Sequence, residues 1–134
     1  NFINIRNFLI IACKFIFFAA GLEEYAAAFE AVTGVETSAQ ELLKKGERIY
    51  YNERIINAVN GFSAKDDKLP DRFFNEPGSS GNKIRIPVIN QTEFKAALKR
   101  YYSIRGLDTD GMPLKQKAES LDLEWDETIN GITG

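Results

Sequence analysis

The longest apolar stretch occupies residues 8–20, which read FLIIACKFIFFAA with only Lys14 interrupting the hydrophobic side chains. A helix that crosses a bilayer needs about 20 mostly apolar residues, so this stretch is too short to span a membrane. Arg6 and the small residues at the end of the stretch are features of secretory signal peptides, but Lys14 breaks the apolar core that such peptides need. A helix that is apolar on nearly every face is typical of the interior of a larger protein. We therefore predict a core helix here, with neighbours on all sides.

Two helices are predicted in the next part of the chain. Apolar residues recur at helical spacing from Leu22 to Thr33, and Gly34 follows as a stop signal. Ser38 and Glu41 form the S-x-x-E pattern of a capping box, which predicts a second helix that ends near Gly61. The apolar positions of this second helix recur every seven residues, and we expect them to face the core: Leu42, Ile49 and Ile56, with Leu43 and Tyr50 beside them.

Two more helices are predicted after residue 90. Asn90, followed three residues later by Glu93, is typical of a capped start, and Gly106 supplies the stop. The apolar side of this helix is expected to contain Phe94, Ala97, Leu98, Tyr101 and Ile104. Pro113 suits the first position of a last helix. The buried side of that last helix is expected to contain Leu114, Ala118 and Leu121.

A loop rich in glycine, serine and proline is predicted at residues 61–90. Ile84, Ile86 and Val88 alternate as in a strand, but Pro87 cannot donate a ladder hydrogen bond and limits this segment to an edge or an extended conformation. With the stretch at residues 8–20, the predicted elements amount to about five helices and one long irregular loop. We therefore predict that residues 1–134 form a single all-α domain.

Composition narrows the classes of function. The chain is 44% hydrophobic and 27% charged, as in a globular protein, and its 17 basic and 19 acidic residues leave a net charge of −2. This balance argues against a nucleic acid or an acidic membrane surface as partner. The single cysteine cannot form an internal disulfide, which agrees with a cytoplasmic location. The chain has no histidine, so it lacks Ser/His and Cys/His nucleophile pairs and imidazole metal ligands.

The residues that could carry chemistry also have structural interpretations. Asp66 and Asp67 could bind a metal ion, but adjacent carboxylates before a Leu-Pro pair more often brace a turn. Tyr101 and Tyr102, near Arg105, could stack on nucleic acid, but Tyr101 lies on the predicted apolar face and the net charge is negative. Cys13, in its apolar run, is either a small buried hydrophobic residue or a metal ligand.

Three stretches carry a more specific resemblance. They read GERIYYNERIINAVNGFSAKDDKLPDRF at residues 46–73, YYSIRGLDTDGMP at residues 101–113 and ESLDLEW at residues 119–125. Together they resemble the C-terminal end of the tungsten-containing aldehyde ferredoxin oxidoreductases, where the patterns G-E-R, R-x-x-N-x-x-x-G-F, D-D-x-L-P-x-R-F and Y-Y-x-x-R-G occur in this order. The resemblance extends over roughly residues 8–125, which is nearly the whole chain but only the end of a family member.

The resemblance gives Cys13 a specific role. Just before this region, family members have a D-S-L-I-A-C stretch whose aspartate contacts the pterin of the tungsten cofactor and whose cysteine binds a 4Fe–4S cluster. Residues 11–15, IACKF, match that stretch, which implies that Cys13 is one of the four cluster thiolates in an intact enzyme. Phe8 stands at the position of the family's aspartate, and the other three cysteines of the family are absent from the chain.

The resemblance implies a function and a set of partners. It implies the C-terminal domain of an enzyme that oxidises aldehydes to carboxylic acids, with electrons passing through a tungsten-bis-pterin and the 4Fe–4S cluster to ferredoxin. The chain alone is then expected to be inactive and to need the remainder of the oxidoreductase, and its apolar surface near residues 15–18 could form a homodimer. The alternative is a stand-alone helical interaction module, or a truncated gene product, that has lost the redox role. Phe8 at the aspartate position would allow that alternative.

Overall fold

The computed structural model describes residues 20–79, 81 and 84–131. In chain order, the described elements are α1 (Leu22–Thr33), α2 (Ala39–Val59), α3 (Arg72–Asn75), β1 (Gly78–Ser79), β2 (Arg85–Ile86), α4 (Gln91–Arg105), α5 (Lys115–Ser120) and a 3₁₀ helix (Glu127–Gly131). The fold class is therefore mainly α-helical, as predicted, with a single pair of very short strands in the described part of the chain. The predicted helix at residues 8–20 lies almost entirely outside the described residues.

Local capping signals set the ends of the long helices where the sequence predicts them. The Ser38 hydroxyl accepts a hydrogen bond from the Glu41 amide (3.2 Å), and Glu41 Oε2 accepts one from the Ser38 amide (2.7 Å), which completes the capping box of α2. Asn90 Oδ1 accepts hydrogen bonds from the second and third amides of α4. Gly34 and Gly106 end α1 and α4 in the left-handed conformation, with φ of +70° and +68°.

Helix α2 buries a different face from the one that the sevenfold spacing predicts. Leu42 is buried, but Ile56 has 52% of its surface exposed. An α-helix turns by about 100° per residue, so Tyr51 lies on the side of α2 opposite to Leu42. The two halves of α2 bury different sides because they pack against different neighbours: Leu42 packs with α1, and the later buried positions Tyr51, Ile55 and Ala58 pack into the larger core cluster.

The buried face of α4 also differs from the predicted one. Tyr102 is 2% exposed, whereas Tyr101 is 37% exposed and Ile104 is 74% exposed. Phe94 and Leu98, which are partly buried, lie on the same face as Tyr102 because successive members are four residues apart. Tyr102 can occupy the interior because its hydroxyl has a hydrogen-bond partner there, as described below.

Helix α5 begins after Pro113 rather than at it. Pro113 pairs with Leu107 in an isolated antiparallel bridge, and the first helical residue is Lys115. Leu114 is 43% exposed, which contradicts its predicted burial, whereas Ala118 and Leu121 are buried as predicted.

The predicted loop at residues 61–90 contains more regular structure than expected. It includes helix α3 and the two strands, which pair antiparallel with Gly78 opposite Ile86 and Ser79 opposite Arg85. We call the described residues of the range 71–90 the arm. None of the residues of α3, β1 or β2 is buried. The arm contacts α4 through an edge-to-face pair of rings, Phe74 and Phe94, whose centroids are 5.6 Å apart.

The described core consists of two clusters of buried side chains. A small cluster joins α1 to the start of α2 through Tyr25, Ala26 and Leu42. The larger cluster joins the second half of α2, the end of α4, the following turn, α5 and the 3₁₀ helix. Its buried members are Tyr51, Ile55, Ala58, Tyr102, Leu107, Met112, Ala118, Leu121 and Ile129.

Candidate functional site

The family-like stretches meet at a cluster of polar groups on the edge of the larger core. Arg54 of α2 donates from Nη1 to Asp67 Oδ1 (3.1 Å) and from Nη2 to Asp67 Oδ2 (2.6 Å). Its Nε donates to the carbonyl of Gly111 at 2.8 Å, and the Tyr102 hydroxyl donates to Asp67 Oδ2 at 2.7 Å. We call Arg54, Asp67, Tyr102 and Gly111 the polar hub. It fastens α2, the following loop, α4 and the turn after α4 to one another.

The electrostatics of the polar hub follow from burial and pairing. The side chain of Arg54 is 12% exposed and that of Asp67 is 30% exposed. Burial disfavours the charged form of Asp67, but the hydrogen bonds from Arg54 and Tyr102 outweigh burial and hold the pKa of Asp67 below its ordinary value of 3.8. Burial and the hydrogen bond to Asp67 raise the pKa of Tyr102 above its ordinary value of 10. The pair is therefore ionised, and the phenol neutral, at physiological pH.

Gly111 is required by the close approach of the turn to the polar hub. Its φ of +72° lies in the left-handed region, and a Cβ atom there would lie 2.5 Å from Arg54 Nη2 and 3.0 Å from Tyr102 Cζ. Asp108 shapes the same turn, because its Oδ1 accepts hydrogen bonds from the amides of Asp110 (2.9 Å) and Met112 (2.8 Å). The D-x-D-G motif of this turn thus serves the backbone geometry.

A second polar connection is made by the hydroxyl of Tyr51, a residue that is fully buried. The hydroxyl accepts a hydrogen bond from the Leu114 amide at 2.7 Å and donates to the Gly106 carbonyl at 2.7 Å. These two partners are the residue that ends α4 and the residue that precedes α5. One phenol in the core thus satisfies backbone groups at two helix ends.

Residues of the G-E-R stretch reach the last part of the described chain. Glu47 pairs with Lys117 of α5 at 2.7 Å, and Arg48 donates to the Asp122 carbonyl at 3.1 Å. The side chain of Lys117 also covers Gly106, where a Cβ atom would lie 2.8 Å from the Lys117 side chain. These contacts bring the G-E-R stretch against α5 and the ESLDLEW stretch at residues 119–125.

The two candidate carboxylates, Asp66 and Asp67, have separate structural roles. Asp66 Oδ2 accepts a hydrogen bond from the Ser63 amide at 3.0 Å, which braces the turn after α2 as predicted. Asp67 belongs instead to the polar hub, where its carboxylate accepts hydrogen bonds from Arg54 and Tyr102. Within residues 20–79, 81 and 84–131, no group of three or more histidine, cysteine, aspartate or glutamate side chains could hold a metal ion.

Arg105, at the end of α4, stacks on two tyrosines, Tyr50 of α2 and Tyr101 of α4. The guanidinium carbon of Arg105 lies 4.8 Å from the ring centroid of Tyr50 and 5.6 Å from that of Tyr101. The hydroxyl groups of the two tyrosines are hydrogen-bonded to each other. This stack links α2 to the last turn of α4.

Cys13, the one predicted metal ligand, lies outside the described residues, as do Phe8 and the apolar segment 15–18. The described part of the chain therefore contains no thiolate that could bind an iron–sulfur cluster. None of the helices in the described ranges has the length and apolar character that crossing a membrane demands.

Sequence reasoning missed two side chains in the described site. Tyr51 was not assigned to the buried face of α2, although its position three residues before Arg54 places both on one side of the helix. Trp125 packs against the larger core, and its Nε1 is the only buried side-chain nitrogen or oxygen without a hydrogen-bond partner among the described residues. The i, i+4, i+7 spacing of Tyr51, Ile55 and Ala58 is a local signal that indicates the buried side of α2, whereas no local pattern predicts the environment of Trp125.

These features define the class of protein. It is a helical domain whose helices and turns are connected by charged and aromatic residues from the three stretches at residues 46–73, 101–113 and 119–125. Comparison with known proteins agrees with this class. The family model described as "Aldehyde ferredoxin oxidoreductase, domains 2 & 3" matches residues 4–123. The chain belongs to the aldehyde ferredoxin oxidoreductase family and corresponds to its C-terminal helical region.

Individual relatives give the same result. The chain is 39% identical over 111 residues to a tungsten-containing aldehyde ferredoxin oxidoreductase of Thermococcus kodakarensis, a match that covers 81% of this chain and 18% of the relative. It is 36% identical over 114 residues to the enzyme of the same name from Pyrococcus furiosus, with 81% and 18% covered. It is 30% identical over 117 residues to the aliphatic sulfonate oxidoreductase, WOR-like subunit, of Pyrococcus furiosus, with 83% and 18% covered. The chain thus spans about a fifth of the length of these relatives.

Proposed function

We propose that residues 1–134 are the single C-terminal helical domain of an enzyme that oxidises aldehydes to carboxylic acids. The observation that carries the proposal is the 39% identity to a relative named tungsten-containing aldehyde ferredoxin oxidoreductase, over 81% of this chain. The identity to the aliphatic sulfonate oxidoreductase subunit is lower, at 30%, and favours the aldehyde reaction over the sulfonate one. The domain would work in the cytoplasm, as part of a larger oxidoreductase.

In the intact enzyme, we propose that electrons pass from a tungsten-bis-pterin through a 4Fe–4S cluster to ferredoxin. Cys13 would supply one of the four thiolates of the cluster. A cluster of this type needs about four cysteine ligands, and the chain contains one cysteine. The remainder of the enzyme would therefore supply the other three, and the chain alone would be inactive.

The polar hub would contribute rigidity rather than chemistry to this function. Arg54 and Asp67 hold each other in a bidentate pair, and Tyr102 and Gly111 occupy further hydrogen-bonding positions of that pair. A ligand on a fixed helical framework keeps its geometry better than one on a mobile segment. The hub would in this way stabilise the framework to which the segment with Cys13 is connected.

A chimera tests the function directly. The segment of the Thermococcus kodakarensis relative that matches this chain is replaced by residues 1–134, and the protein is produced anaerobically with tungstate. We expect aldehyde-dependent reduction of ferredoxin, tungsten by elemental analysis, and the visible absorption of a 4Fe–4S cluster. A folded chimera that retains the cluster and tungsten but oxidises no aldehyde would refute the proposed reaction.

Two substitutions in the chimera separate the roles of individual positions. Cys13→Ser is expected to abolish the cluster absorption, whereas Thr33→Ser, on the exposed end of α1, leaves it unchanged. Because Phe8 stands at the position of the family's pterin-binding aspartate, Phe8→Asp is expected to raise the activity of the chimera by restoring a carboxylate there. An intact cluster spectrum in the Cys13→Ser variant would exclude Cys13 as a ligand.

The isolated chain provides a further check. Residues 1–134 are incubated anaerobically with iron and sulfide, and we expect no cluster absorption because one thiolate is too few. A stable cluster with one chain per cluster would contradict the proposal. Sedimentation of the same sample tests the expectation of a homodimer. A monomeric chain would contradict that expectation.

A further inference from the structure

The arm carries large apolar side chains that the described residues cover only in part. Of the thirteen large hydrophobic residues that are exposed in the described ranges, five lie between residues 73 and 89: Phe73, Ile84, Ile86, Val88 and Ile89. Their exposed fractions run from 38% to 60%. Large exposed apolar patches in soluble proteins mark interaction surfaces. Neither of the two core clusters includes a residue of the arm, so folding of the described residues alone does not bury this patch.

The arm also forms a hollow that a side chain of another segment could fill. The hollow has a volume of about 480 Å³ and is lined by Arg72, Phe73, Glu76, Ile86, Pro87 and Ile89, among others. Most of its lining is apolar. The Arg72 guanidinium carbon lies 5.2 Å from the ring centroid of Phe73, and Arg72 forms no ion pair with any described residue. The rim of the hollow thus offers Arg72 and Glu76, neither of which is in an ion pair with a described residue, next to an apolar floor.

We propose that the arm is the surface that docks onto the remainder of the oxidoreductase polypeptide, at an apolar segment with a carboxylate that reaches Arg72. This inference rests on the proposed function, in which this chain is one domain of a larger enzyme. The relatives extend well beyond the matched segment, since that segment is 18% of their length. A covalently linked partner is present at high effective concentration, which favours it over a second copy of the chain as the occupant.

The backbone of the arm suits such a role. Its two strands are two residues long and pair only with each other. The Ile89 amide donates to the Phe73 carbonyl at 2.8 Å, which closes the base of the arm and holds the hollow open between its two sides. A surface that is formed before docking loses little conformational entropy on association. The arm therefore presents a preformed apolar face.

Cysteine labelling in the chimera tests the proposal. Ile86→Cys places a thiol in the arm, and the matched control Ile104→Cys places one on the exposed face of α4, outside the arm. The rate of maleimide labelling at each site is measured by peptide mass. We expect the thiol at position 86 to react at least tenfold more slowly than the thiol at position 104, because the docked polypeptide covers it. Equal rates at the two sites would overturn the proposal.

A charge substitution gives an independent readout. Ile86→Asp is expected to lower the thermal midpoint of the chimera, whereas Ile104→Asp leaves it within about a degree. An unchanged midpoint for Ile86→Asp would overturn the proposal. The proposal would also be overturned if the thiol at position 86 became reactive when the chimera was diluted and a dimer dissociated. The segment covering the arm would then belong to a second copy of the chain.

Aldehyde oxidation by the unsubstituted chimera is measured separately. If position 86 is protected and the chimera is inactive, the docking surface stands and the proposed reaction fails. If the chimera is active and position 86 is freely labelled, the reaction stands and the docking surface fails.

Discussion

Arg54 and Asp67 form a bidentate ion pair across the turn that follows α2, with N–O distances of 2.6 and 3.1 Å. The pair is more than a surface salt bridge, because only 12% of the Arg54 side chain and 30% of the Asp67 side chain are exposed. A buried ion pair adds little net stability relative to an apolar pair, but removal of one partner leaves a desolvated charge and is costly. The polar hub is therefore sensitive to single substitutions.

Removal of the Asp67 carboxylate tests this sensitivity. Asp67→Ala is expected to lower the free energy of unfolding by about 2–4 kcal/mol, because Arg54 and Tyr102 lose their acceptor. The neighbouring Asp66→Ala variant loses one hydrogen bond from the Ser63 amide and is expected to cost about 0.5–1 kcal/mol. Urea denaturation of the two variants measures the difference. Equal losses would mean that the ion pair is no more important than the turn.

The lowered pKa of Asp67 predicts a dependence of stability on pH. Since the pKa is lower in the folded state, the stabilisation is fully present above the ordinary value of 3.8 and is lost as pH falls through the folded pKa. The difference in unfolding free energy between the parent chain and Asp67→Asn should be constant from neutral pH down to about pH 5, and should shrink below pH 3.8. Glu41 and Asp126 also have lowered pKa values, so they too make the stability of the parent chain depend on pH. The test is therefore the difference in unfolding free energy between the parent chain and the variant, in which these shared contributions cancel. A difference that grows with acid would contradict the prediction.

The buried hydroxyl of Tyr51 gives a third prediction. Tyr51→Phe keeps the ring in the core but leaves the Leu114 amide and the Gly106 carbonyl without this partner. We expect a loss of about 2–3 kcal/mol, because two buried backbone groups are affected. Tyr101→Phe is the matched control, since Tyr101 is partly exposed and water can replace its hydroxyl partner. Thermal unfolding of both variants measures the losses, and a control that costs as much as Tyr51→Phe would argue against the proposed connection.

A comparison of alanine substitutions at Gly61 and Gly111 distinguishes the cost of a positive φ from the cost of a steric clash. Gly61→Ala and Gly111→Ala both place a side chain at positive φ, +84° and +72° respectively, and this costs about 1–2 kcal/mol. At Gly61 a Cβ atom meets nothing within 4 Å, whereas at Gly111 it meets Arg54 Nη2 at 2.5 Å. Crowding should therefore add about 1–3 kcal/mol at position 111 alone. Chemical denaturation of both variants tests this, and indistinguishable losses would mean that the hub can shift to make room.

The sequence predicts helix ends better than it predicts helix faces. The capping box of Ser38 and Glu41 and the stop at Gly106 act within a few residues, so the pattern alone contains the physics that places them. The choice between Tyr101 and Tyr102 for burial depends on Asp67, which lies 35 residues earlier than Tyr102. Likewise, Arg54 finds Gly111 across 57 residues of chain. Such choices depend on which groups meet in the folded chain, and local periodicity does not contain that information.

The family predicted from the resemblance is confirmed by the family model over residues 4–123, and the stretches that carry the resemblance also connect the described helices and turns. Glu47, Arg54, Asp67 and Tyr102 all belong to those stretches and all make contacts between different elements. Cys13 and Phe8, on which the redox role depends, lie outside the described residues and stay predictions.

Tyr51 and Arg54, on α2, reach residues 106, 111 and 114 directly, so the two ends of the intervening segment are fastened to each other without help from the arm. A loop whose ends are already joined can change length at small entropic cost, about 0.6 kcal/mol for each doubling. The arm can therefore lengthen, shorten or change its side chains between related enzymes while the helices beneath it stay in register. The proposed docking surface is thus the segment of the described chain whose alteration would disturb the helical framework least.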